Sequence, residues 1–90
     1  MKITYDPANR AITLRERGLD FRDAAKVFAG RVVSFEDRRF DYGEVRFASY
    51  GYLGGRLVNV VWTPRGKSRR VISMRYCNEK EARAFKAHLD

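Results

Sequence analysis

Two turn signals lying close together constrain this chain more than any other feature. Gly54-Gly55 is a two-residue hairpin loop between Leu53 and Arg56, and Pro64-Arg65-Gly66-Lys67-Ser68 is a second turn a short way downstream. Turns this short join three strands, Glu44–Tyr52, Leu57–Thr63 and Arg69–Tyr76, into an antiparallel meander. The first alternates Val45, Phe47 and Ser49 against Arg46, Ala48 and Tyr50. The second is the most apolar and is expected at the centre of the sheet. The third carries arginine on both sides. If it is regular, Arg70, Ile72, Met74 and Tyr76 face one way, and Arg69, Val71, Ser73 and Arg75 face the other.

The remaining elements follow from caps and periodicity. Lys2–Tyr5 is a short strand. Asp6 then caps a helix whose first position is Pro7, and the helix runs to about Arg17 and stops at Gly18. Its apolar stripe is Ala8, Ala11, Ile12 and Leu14, with Arg10, Arg15 and Arg17 on the polar side. Asp20 caps a second helix, Phe21–Ala29, whose Phe21, Ala24, Ala25 and Phe28 recur at helical spacing; Leu19 and Ala24 have the spacing of a hydrophobic staple. Arg31–Phe35 reads as a strand, and the charged stretch 36–43 reads as the main loop. Asn78-x-x-Glu81 is a capping box that opens a last helix, with Ala82, Phe85 and Leu89 as its buried stripe. The expected fold is α+β and a single domain, 1–90. It has an antiparallel sheet (a three- to four-stranded meander plus the short N-terminal strand), with two N-terminal helices and a C-terminal helix packed on one face.

Charge narrows the partners. Lys and Arg number 19 against 11 Asp and Glu, a formal net charge of +8, which suits a polyanion such as RNA, DNA or an acidic protein. No apolar run approaches the ~18 residues of a membrane span, so no membrane partner is expected. Met1–Tyr5 passes directly into a strand-like pattern rather than a leader, so the expected location is cytoplasmic. With one cysteine, Cys77, and one histidine, His88, neither a disulfide nor a zinc site is expected, and no cofactor is implied.

Nucleophile motifs and phosphate-binding glycine loops are missing, which leaves Arg, Lys, Tyr, Glu, Asp and His88 for any chemistry. RNA cleavage is compatible with such a set, because the 2′-hydroxyl is an internal nucleophile. The protein need only orient the phosphate, stabilise the added negative charge and move protons. Arginine suits the second task through its permanently charged, planar fork. Glu44, Tyr50, Tyr76 and His88 are the candidates for proton transfer. Each candidate also has a plain structural reading. Arg70 and Arg75 can pair with carboxylates on a neighbouring strand, and Arg46 can pair with a loop carboxylate. Glu44 reads as a solvated loop residue, His88 as a surface residue near the chain end, and Glu81 as a helix cap. Tyr50 and Tyr52 can stack bases or simply pack, and Trp62 reads as core. The turn residues Arg65, Lys67 and Arg69 are either solvated charges or the extension of a phosphate track.

Several segments in order resemble the BrnT family, ribonuclease toxins of type II toxin–antitoxin pairs with a distant likeness to RelE toxins. They are Tyr5-Asp6-Pro7-Ala8, Arg15-Glu16-Arg17-Gly18-Leu19-Asp20-Phe21 followed by Ala24-Ala25 and Val27-Phe28, and Gly43-Glu44-Val45-Arg46-Phe47 with Gly51. Val61-Trp62-Thr63, Arg70-Val71-Ile72-Ser73-Met74-Arg75, Glu81 and Arg83 complete the set. The chain departs from the family pattern at Arg17, usually His, at Asn9, usually Lys, and at Thr13, commonly Asn. The resemblance implies a RelE-like fold and a metal-independent endoribonuclease that cuts mRNA and stops translation. It also implies a ribbon-helix-helix, BrnA-like antitoxin that binds the toxin as a dimer of heterodimers and alone contacts operator DNA.

These readings give a leading expectation and two rivals. In the leading one, Arg75 and Arg46 hold the scissile phosphate with help from Arg70, while Arg65, Lys67 and Arg69 follow the flanking backbone. Arg75 is favoured over Arg70 because it ends its strand, where the side chain can open onto solvent. The rivals are a non-catalytic RNA- or DNA-binding module and an inert subunit that binds the antitoxin and helps it repress.

Overall fold

The computed structural model describes residues 2–90; Met1 lies outside them. The elements are β1 (Lys2–Tyr5), α1 (Pro7–Arg17), a 3₁₀ turn (Phe21–Asp23), α2 (Ala24–Ala29), β2 (Val32–Glu36), β3 (Phe47–Leu53), β4 (Arg56–Arg65), β5 (Ser68–Tyr76) and α3 (Glu79–Leu89). The expected α+β class holds, as does the meander from β3 to β5, and β4 sits at the centre. The caps also form as expected. The Asp6 carboxylate accepts from the Ala8 amide, Gly18 takes the left-handed conformation at φ 68°, and Asn78 and Glu81 close a reciprocal capping box.

The sheet is five-stranded and mixed, not antiparallel. Its order is β1-β5-β4-β3-β2, with β1 parallel to β5. Turn chemistry fixes the hairpins locally, but the place of β1 is decided by which edge is left open once β2 to β5 have paired. β1 takes the free edge of β5, and α1, the 3₁₀ turn and α2 then carry the chain across one face to β2 at the opposite edge.

That crossing builds the core. Phe21, Ala24 and Val27 are fully buried against Val58, Val60, Val71 and Met74, with Leu19 sealing the connection from α1. The expected second helix is interrupted, because Phe21–Asp23 winds as a tighter turn before α2 begins. The expected strand from Glu44 begins only at Phe47, since Glu44, Val45 and Arg46 belong to the loop end. The helices do not share one face. α3 packs on the other side, where Phe85 stacks on Tyr50 with ring centroids 4.1 Å apart.

α1 also differs from its apolar-stripe reading. Ile12 and Leu14 are exposed, and the buried residue is Thr13. β1 stops pairing with β5 at Val71, which would leave outward carbonyls on β5 without partners. α1 covers that edge instead. Asn9 Nδ2 donates to the Ile72 carbonyl at 2.7 Å, and Arg17 Nη1 donates to the Met74 carbonyl at 2.9 Å. The inward side of the helix is therefore polar because it faces a strand edge, not a sheet face. The Arg10 guanidinium grips the Asp20 carboxylate through two bonds of 2.8 Å, tying α1 to the 3₁₀ turn and holding that carboxyl well below the usual range.

One irregularity in β5 changes where its arginines point. Val61 pairs with Ser73 and Trp62 pairs with Val71, so Ile72 has no partner on β4 and forms a bulge. Downstream of it, Ser73 and Arg75 lie opposite Val61 and Asn59; upstream, Arg70 lies opposite Thr63. Asn59, Val61 and Thr63 alternate onto one face of β4, so Arg70 and Arg75 share that face. A regular strand would have separated them.

Candidate functional site

The face opposite the main core is organised in cross-sheet rows. Val33, Tyr50, Asn59 and Arg75 form one, and Phe35, Ala48, Val61 and Ser73 form the next. A third row holds Thr63 and Arg70, with Arg46 one position beyond the last β3–β4 pair. The loop after β2 rises beside these rows and encloses a cleft of about 320 Å³, lined by Phe35, Glu36–Arg39, Ala48, Tyr50, Asn59, Val61, Ser73 and Arg75.

Carboxylates hold most of the cations around it. Arg75 donates two bonds to Glu81, at 2.7 and 2.6 Å, so the strand's last arginine is clamped to the first turn of α3. Glu81 also accepts from the Asn78 amide at 3.0 Å, completing its capping role. The Arg75 hydrogen bonds bring the Glu81 carboxyl down to about 2, and the same contact raises Arg75. Asp37 accepts both prongs of Arg39 and the Tyr42 hydroxyl, which holds its carboxyl far below the usual range. Glu44 sits between Arg46 at 3.0 Å and Arg65 at 3.1 Å and is lowered by both. The Arg46 guanidinium also lies over the Tyr42 ring, 4.1 Å from its centroid. Burial raises the Tyr50 hydroxyl, which therefore stays protonated at neutral pH.

The structure gathers some expected site residues and disperses others. Tyr50 and Arg75 line the cleft. Arg70 lies on the same face and has no hydrogen-bond or carboxylate partner among the described residues. Glu44, Arg46 and Arg65 form a compact cluster at the loop end. Lys67 is exposed in the β4–β5 turn. Arg69 points to the opposite face and lies over the rings of Phe28 and Trp62, at 4.2 and 4.7 Å. Tyr76 also turns to that face, beneath the Arg56 guanidinium at 3.7 Å. Neither Arg69 nor Tyr76 can reach the cleft from there. His88 is exposed in the last turn of α3, and burial lifts the Cys77 thiol to about 11, leaving it protonated. No group of three or more His, Cys, Asp and Glu side chains among the described residues is placed to hold a metal ion.

Three features of the cleft escaped the sequence reading. Asp37 and Arg39 form its outer wall, from a loop without periodicity. Glu81 serves the helix cap and Arg75 at once. Asn59 lies in the cleft floor, and the signal for it was a single amide inside the most apolar strand.

The fold and this face define a small, basic α+β domain with an arginine-bearing cleft on one side of a mixed sheet. A family profile described as "Ribonuclease toxin, BrnT, of type II toxin-antitoxin system" matches residues 5–81, a span that takes in Arg46, Arg70, Arg75 and Glu81. The chain belongs to the BrnT toxin family, whose members are ribonuclease toxins and whose type II class implies a partner antitoxin. No curated protein matches the chain. No helix among the described residues is long and apolar enough to cross a membrane.

Proposed function

We propose that the chain is a cytoplasmic, metal-independent endoribonuclease that cuts mRNA at the cleft and is neutralised by a ribbon-helix-helix antitoxin. The observation that carries this reading is the bulge at Ile72, which sets Arg70 and Arg75 on the face that holds the cleft. In the reaction, the 2′-hydroxyl of the substrate loses its proton to water as its oxygen bonds to phosphorus and the bond from phosphorus to the 5′-oxygen breaks. This leaves a 2′,3′-cyclic phosphate and a 5′-hydroxyl. Charge builds on the non-bridging oxygens, where the fork of Arg75 stabilises it, with Arg70 and Arg46, two rows along the same face, holding the adjoining phosphate. Tyr50 lines the cleft and burial keeps its hydroxyl protonated, which suits it to give the proton to the departing 5′-oxygen. Substrate phosphate takes the place of Glu81 on Arg75, and Glu81 remains tied to the helix cap.

The test is cleavage of RNA by the purified protein, with and without a chelator. New ends are expected in both. Arg75→Ala should lower the rate about a hundredfold or more, while circular dichroism and antitoxin binding remain close to native. Tyr50→Phe should slow cleavage with little change in RNA affinity. A fully active Arg75→Ala protein overturns the site assignment. RNA binding without new ends supports a non-catalytic module.

A further inference from the structure

We propose that the antitoxin is anchored away from the cleft, in a hollow beside Arg69 on the core side of the sheet, by a carboxylate lying next to a large apolar side chain. The inference rests on the chain having the antitoxin partner that its class implies. Arg69 is a cation without an acid. It has no hydrogen-bond or carboxylate partner among the described residues, and its Nε is buried unpaired. The guanidinium lies over Phe28 and Trp62, 4.2 and 4.7 Å from their ring centroids. The rings stabilise the cation and fix its plane, but they are weak hydrogen-bond acceptors. An aliphatic side chain would cover them without stripping a donor of water, so packing alone does not account for arginine here. Nε is sealed against the rings; Nη1 and Nη2 are the nitrogens that a partner can reach.

Arg69 forms one wall of a hollow of about 250 Å³ whose other walls are Ile3, Ala25, Phe28 and Ala29. Ile3 lies beside Arg69 in the parallel ladder. Ala25 and Ala29 lie one turn apart on α2, and their short side chains leave the space open. No carboxylate lines the hollow, and Asp23, at the N-cap of α2, is engaged by Lys26 at 3.4 Å. Lys2, next to Ile3, and Lys67, just before β5, are exposed and add positive charge at this end of the sheet. The occupant must therefore be acidic and apolar at once. A carboxylate presents two oxygens side by side to the two open nitrogens, and an apolar neighbour fills the aliphatic space. An RNA phosphate would meet the guanidinium equally well, but the rings on which a base would stack are already covered by Arg69 itself. Because the rings hold Arg69 in place before a partner arrives, little freedom is lost on pairing. Neutralisation and RNA cleavage then depend on different arginines, on opposite sides of the sheet.

The test is calorimetric titration of the purified cognate antitoxin into the native chain, Arg69→Met and Ala25→Leu. Arg69→Met keeps a long stem over Phe28 and Trp62 but removes the fork, and should weaken binding about tenfold or more. Ala25→Leu fills the hollow from an exposed helix position, where it should not disturb the fold, and should also weaken binding by about tenfold. Both variants should cut RNA at the native rate and resist neutralisation by added antitoxin. Native antitoxin affinity in either variant overturns the proposal. So does a loss of RNA binding in Arg69→Met with antitoxin affinity unchanged, which would give the hollow to RNA. The readings separate cleanly. A native chain that binds no antitoxin defeats both the partner reading and this inference, one that binds it with no response to either variant defeats this inference alone, and one that loses antitoxin in both variants but cuts no RNA defeats the ribonuclease reading alone.

Discussion

At Gly51 the sheet and the first helical layer meet with no room for a side chain. A Cβ there would lie 2.8 Å from Val27 Cγ1, 3.0 Å from Val32 Cγ1 and 3.2 Å from the Arg31 carbonyl. The glycine is required for space and not for backbone conformation, because its φ is not positive. Val27 is fully buried in the core and cannot swing away without opening the packing around Ala24 and Phe21. Gly51→Ala should therefore destabilise the protein by about 1–3 kcal/mol in denaturant unfolding. Gly30→Ala is the control. Its added Cβ would meet only the Val27 carbonyl at 3.7 Å, an ordinary contact, so its loss should be small. Equal stability of the two variants would show that the contact at Gly51 relaxes freely.

At the scale of elements, α3 and β5 are joined through one carboxylate. Glu81 caps the helix and clamps Arg75, and its folded pKa of about 2 lies below the ordinary 4.5. A depressed carboxyl contributes its stability above its unfolded pKa and loses it as the pH falls toward the folded value. The melting temperature should therefore drop between about pH 4.5 and 2, and Asp20 and Asp37, whose arginine partners hold them lower still, extend the fall further into acid. Glu81→Gln keeps a capping side chain but not the charge, so it should melt lower at neutral pH and fall less steeply in acid. Superimposable pH curves for the two proteins would remove Glu81 from the acid response. What the sequence disclosed of these elements tracks how local their causes are. The caps at Asp6 and Asn78 and the Gly54-Gly55 hairpin depend on a few neighbouring residues, and they form where expected. The parallel pairing of β1, the polar inner side of α1 and the bulge at Ile72 depend on strand edges brought together from opposite ends of the chain. For the same reason Arg46, Arg70 and Arg75 were legible as arginines of interest, and a loop carboxylate was expected for Arg46 and is Glu44, but Glu81 as the partner of Arg75, and the shared face of Arg70 and Arg75, were not.

For the whole molecule, the count of 19 Lys and Arg overstates the cations available to RNA. Arg10, Arg39, Arg46, Arg65 and Arg75 are each held by a carboxylate, and Arg69 is laid over two rings on the core side. On the cleft face, Arg70 is the strand arginine without a carboxylate partner among the described residues. A cation that exchanges a carboxylate for a phosphate leaves that carboxylate bare, which offsets the gain. A cation that meets phosphate from water releases counterions from the RNA outright. Each such contact to a single strand adds about −0.7 to the slope of log affinity against log salt. Arg70→Ala should therefore flatten that slope by about 0.7, measured with a labelled single-stranded RNA between about 50 and 200 mM salt. Arg69→Ala removes the same formal charge from the other face and should leave the slope unchanged. If the two variants flatten it equally, RNA is held by the overall positive field and not by the cleft face; if only Arg69→Ala does so, the RNA lies on the other side of the sheet.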